Sequence, residues 1–79
     1  MDKKLFGWRE VEAGEWHGAV QLDESTVVHA KATVNRGEGY AWSIMWPDGG
    51  YGVGTERVFF DVVERVQVLF DEWLAEQKR

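Results

Sequence analysis

The sequence predicts an α+β fold, with a three- to four-stranded antiparallel meander packed on one C-terminal helix. Three observations predict it. Three consecutive segments alternate apolar and polar residues with a period of two, the pattern of strands with one buried face. Short runs of turn-forming residues separate them, as in hairpins. The last twenty or so residues change to a period near 3.6, as in a helix with one apolar stripe. At 79 residues there is room for one domain and one core. The chain buries only about 60–65% of its unfolded surface, so stability is modest.

Residues 1–14, which hold Leu5, Phe6, Trp8 and Val11, show no clear period. They are expected as an N-terminal arm over the rim of the core or as an edge strand. The first clear strand spans Trp16 to Leu22, with Trp16, Val20 and Leu22 on one side. In the second, Val28, Ala30, Ala32 and Val34 oppose His29, Lys31 and Thr33. In the third, Tyr40, Trp42, Ile44 and Trp46 oppose Ala41, Ser43 and Met45. The even-numbered residues are thus expected to face the core. Small residues at Gly18, Ala30 and Ala32 leave a trough for Val66 and Phe70, flanked by Trp16, Trp42 and Trp46.

The third turn, Trp46-Pro47-Asp48-Gly49-Gly50, has the residues of a type I turn followed by a glycine bulge. That register sets Gly50 opposite Trp46, Gly52 opposite Ile44 and Gly54 opposite Trp42, so large rings cover glycines. It sends Tyr51, Val53 and Thr55 to the outer face beside Ser43 and Met45.

In the helix, Phe59, Val62, Val63, Val66, Phe70, Trp73 and Leu74 form the apolar stripe. Asp61, Glu64, Arg65, Asp71, Glu72 and Glu76 gather on the other side. Two starts are open. Asp61 caps with Glu64 in a capping box, so that Arg57–Phe60 extends the last strand, or Thr55 caps a turn earlier. Gln77-Lys78-Arg79 puts positive charge at the favourable end of the macrodipole.

Composition restricts function. Five tryptophans and four phenylalanines argue against disorder. The chain has no cysteine, hence neither disulfides nor thiolate metal sites, which fits a reducing compartment. No run suits a signal peptide or a membrane span, so a soluble cytoplasmic protein is expected. The net charge of −5 disfavours binding to phosphates.

Chemistry-bearing motifs are sparse. Pairing Leu22 with Val28 sets His29 opposite Gln21 and His17 opposite Thr33, about 13 Å apart along the strands, too far for one ion. The pairs Asp23-Glu24 and Asp71-Glu72 lie in a turn and on a solvated face, not in a cleft that would separate their pKa values. The run Gly49-Gly50-Tyr51-Gly52-Val53-Gly54-Thr55 lacks the lysine of a phosphate loop. No enzyme, metal site or cofactor is expected.

A sheet on one helix resembles the layout of AP2-type DNA-binding domains. The outer face, with His17, Gln21, His29, Lys31, Thr33 and Ser43, lacks the arginines and tryptophans through which that family binds DNA. The expected function is a non-catalytic protein-binding module with two candidate surfaces. One is the apolar patch Met45, Tyr51 and Val53. The other is the acidic helix face with Glu64, Asp71, Glu72 and Glu76. The concrete form of this expectation is a small phage-type inhibitor of a host nucleic-acid-processing complex, like anti-CRISPR or anti-restriction proteins that mimic DNA. The alternatives are a nucleic-acid-binding accessory domain using the outer sheet face and a homodimeric component of a larger assembly.

Overall fold

A computed structural model describes residues 4–77. Five strands precede one helix: β1 (Gly7–Glu12), β2 (Glu15–Asp23), β3 (Thr26–Asn35), β4 (Gly39–Met45), β5 (Tyr51–Glu56) and α1 (Phe59–Gln77). The strands form one antiparallel sheet in the order of the chain. The α+β meander on a C-terminal helix is therefore as predicted, with five strands where three or four were expected. The added strand is β1, the edge-strand alternative for residues 1–14, and a register shift between Glu10 and Glu12 breaks its alternation.

The even-numbered residues do face the core. Val20, Val28, Ala30, Ala32, Trp42 and Ile44 are buried, and Val62, Val66 and Phe70 meet them from the helix with no exposed surface. Fully burying a Val, Ile or Phe side chain contributes about 1.5–3 kcal/mol. Val34 is the exception, 44% exposed. Aromatic rings close both ends. Phe59 packs against Trp8, Trp16 and Tyr40, and Trp46 stacks on Trp73 at 5.1 Å between centroids.

Three expectations need correction. Val20, not Leu22, pairs with Val28, because a register shift between Gln21 and Asp23 tightens the β2–β3 hairpin. The Asp23 carboxylate accepts the Ser25 amide at 2.9 Å and so turns the chain early. A two-residue shift keeps every side chain on its face, so the core assignment survives. Secondly, Gly18 is covered by the Trp8 indole of β1, where Val66 and Phe70 were expected. Phe70 instead meets Phe6 edge-on at 5.4 Å. Thirdly, neither Asp61 nor Thr55 caps the helix. β5 ends at Glu56, and the Val58 carbonyl accepts the amides of Asp61 and Val62. Docking of Phe59 among three aromatic rings brings the start of the helix forward and leaves Asp61 in its first turn. The expected charges of Lys78 and Arg79 lie outside the described residues.

The last hairpin has the predicted register. Trp42 pairs with Gly54 and Ile44 with Gly52. The Trp46 carbonyl accepts the Gly49 amide at 3.0 Å, and Gly49 has φ 96°, which suits a glycine bulge after a type I turn.

Candidate protein-binding surface

With α1 on one face of the sheet, the odd-numbered side chains form the other, and no second layer covers them among the described residues. Pairing sets these side chains in rows across the strands. One row runs Ala19, His29, Met45, Tyr51, and the next runs Arg9, His17, Lys31, Ser43, Val53. Between the larger groups, small residues leave shallow depressions, one lined by His17, His29, Lys31, Ser43 and Met45. A second, lined by Lys31, Thr33, Ala41, Val53 and Thr55, continues it towards β5.

The predicted apolar patch is assembled here. Met45 lies directly across from Tyr51, and Val53 follows two residues along β5. Their exposures are 61%, 72% and 67%, so three large apolar side chains lie open together. The described part of the N-terminal segment, residues 4–14, does not cover them, because β1 occupies the opposite edge of the sheet.

Charge on this face centres on Glu15. Its carboxylate lies 3.1 Å from His17 Nε2 and 3.8 Å from Lys31 Nζ. Both are exposed contacts of small energetic value. Arg9 of β1 joins the same face, a cation that the sequence does not place because residues 1–14 leave an arm and an edge strand both open. The register correction also leaves His17 opposite Lys31 and His29 opposite Ala19. The histidines are thus offset by two residues, about 7 Å along the strand and not 13 Å. Among the described residues, no group of three or more potential ligands is placed to hold a metal ion.

The predicted acidic residues lie on the far side of the molecule, on α1. Glu64, Glu72 and Glu76 are exposed, and Asp71 is half-buried. Asp71 accepts a hydrogen bond from Gln67 Nε2 at 3.0 Å. Gln67 also donates to the Lys4 carbonyl and accepts the Phe6 amide, at 2.8 and 3.1 Å. Asp71 therefore supports a clamp that holds the N-terminal arm on the helix. Gln67 itself went unnoticed in the sequence, since a single glutamine beside an apolar stripe has no distinguishing pattern. Val68, 47% exposed, and Arg65 interrupt the acids. The Arg65 guanidinium lies 3.9 Å from Glu56, which also accepts the Trp42 indole N–H at 3.2 Å.

One titrating group stands out. Asp23 is held below the ordinary carboxylate value of 3.8, chiefly by the Ser25 backbone amide and then by the Thr26 side chain. It stabilises a hairpin turn and faces no cleft. No helix among the described residues is long and apolar enough to cross a membrane. Comparisons with family models, curated proteins and solved structures gave no match.

Proposed function

We propose that this protein is a non-catalytic binding module that engages a protein partner through Met45, Tyr51 and Val53. The observation that carries this reading is the open apolar patch on adjacent strands, with 61–72% exposure of each side chain. Contiguous apolar groups at a surface mark interaction sites, and Tyr and Met are enriched in interfaces. The adjacent carboxylate pairs Asp23-Glu24 and Asp71-Glu72 lie at an open turn and on the helix, which supports binding over acid–base chemistry.

In its most concrete form, the module is a small acidic inhibitor of a host nucleic-acid-processing complex, of the anti-CRISPR or anti-restriction kind, acting in the cytoplasm. The carboxylates of Glu64, Asp71, Glu72 and Glu76 would occupy a groove of Lys and Arg on such a partner. A net charge of −5 and the 19-residue helix support this form.

The test is a tagged pull-down from host lysate, with and without nuclease, read by mass spectrometry. A protein partner that survives nuclease and is lost with Tyr51→Ser is the expected result. Loss of a central aromatic anchor costs about 2 kcal/mol or more, roughly thirtyfold in affinity. If the acids contribute, raising salt weakens the complex, and Glu72→Gln with Glu76→Gln reduces that sensitivity. Recovery of nucleic acid alone would favour the second reading, an accessory nucleic-acid-binding domain. The presence of Arg9 and Lys31 in one row of the outer face, on either side of His17, supports that alternative.

A further inference from the structure

The two edges of the sheet are built differently. β1 carries Arg9, Glu10 and Glu12 and an irregular register, features that discourage strand addition. β5 is Tyr-Gly-Val-Gly-Thr-Glu, with no charge before Glu56 and a regular register from end to end. In an antiparallel pair, hydrogen-bonded and non-bonded positions alternate. The Trp46 amide donates to the Gly50 carbonyl at 2.8 Å, which makes Trp46 and Gly50 a bonded position. By alternation, Gly52, Gly54 and Glu56 turn their backbone groups to β4. Tyr51, Val53 and Thr55 turn theirs outward along the free edge.

From this we infer that β5 pairs with β5 of a second copy, antiparallel about a two-fold axis at Val53. Val53 then exchanges both backbone hydrogen bonds with its counterpart, and Tyr51 does so with Thr55. Every outward amide and carbonyl of these three residues is satisfied. Any antiparallel pairing of a strand with its own copy is two-fold, and the register centred on Val53 is the one that pairs all three outward positions. Charge favours this occupant. The chain carries −5 overall, yet this edge brings no acid against acid from Tyr51 to Thr55. At each end the pairing carries exposed Arg57 of one copy to the turn that holds exposed Asp48 of the other. The two five-stranded sheets become one of ten, and the two Met45–Tyr51–Val53 patches join into a single strip on one face. The inference stands apart from the proposed partner, since it uses the backbone of β5 and that proposal uses its side chains.

The experiment is the solution mass of the full chain over a concentration series, by light scattering, alongside amide hydrogen exchange. The expected mass is twice the 9.1 kDa chain mass, falling to a single chain on dilution. The amides of Tyr51, Val53 and Thr55 should become protected as the dimer forms. Val53→Pro removes the central outward amide and is tolerated on an edge whose N–H faces solvent. It should give a folded monomer by circular dichroism, whereas Val53→Thr, which keeps the amide, stays dimeric. A single-chain mass at every concentration would overturn the inference. So would a dimer that persists in Val53→Pro, or rapid exchange of the three amides at all concentrations.

Discussion

Gly54 and Gly52 occupy equivalent places on β5 but face different neighbours. A Cβ at Gly54 would overlap the buried Trp42 ring, whereas one at Gly52 would meet only Ile44 Cγ2 at 3.4 Å. Trp42 is held by its hydrogen bond to Glu56 and has little freedom to retreat. Gly54→Ala should therefore destabilise by about 1–3 kcal/mol, the ordinary cost of overpacking. Gly52→Ala should change stability far less, and urea denaturation of the two variants compares them directly. Asp23 gives a second test at this scale. Because folding lowers its pKa, it contributes stability above 3.8 that is lost as pH falls through the folded value. Stability of the wild type relative to Asp23→Asn should shrink as pH falls from neutral to below 3.8 and through the lowered folded value. An unchanged difference across that range would show that the turn does not depend on the carboxylate.

The elements were legible wherever one simple period ran uninterrupted. β3, β4 and most of α1 announce themselves, and the Trp46–Gly50 turn fixed the β4–β5 register because its proline and glycines admit few geometries. β1 did not, since its irregularity near Glu10 and Glu12 destroys the alternation that identifies strands. The β2–β3 register was missed for a related reason: the carboxylate of Asp23 decides where the chain turns, and composition alone cannot show it. The helix start was set by tertiary packing of Phe59, which overrode the local capping pattern. Holding the N-terminal arm falls to Gln67, through three hydrogen bonds to Lys4, Phe6 and Asp71. Gln67→Ala should cost about 1–3 kcal/mol if the Phe6 amide is left unpaired. Hydrogen exchange would detect it as faster exchange at Phe6, with the centre of the sheet unchanged; equal exchange in variant and wild type would remove the clamp.

For the whole molecule, the sheet separates the candidate surfaces: apolar Met45, Tyr51 and Val53 on one side, acidic Glu64, Asp71, Glu72 and Glu76 on the other. The outer-face patch was readable from the sequence because the turn determined which side chains share a face. The double duty of Asp71 was not, because its partner Gln67 binds an arm 63 residues away. A flat partner cannot touch both surfaces at once, so Tyr51→Ser and the helix-acid variants should differ in their salt dependence. The chain order of the sheet has one more consequence. Each strand pairs with its immediate predecessor, so hairpins can form in sequence as the chain leaves the ribosome, with little loop to close at each step. The apolar face of those hairpins is closed by α1, through Phe59, Val62, Val66, Phe70 and Trp73, which follows all five strands in the chain. During translation the growing sheet therefore presents Trp42 and Ile44 to water, and it is in that interval that the nascent chain is most open to chaperones and to aggregation.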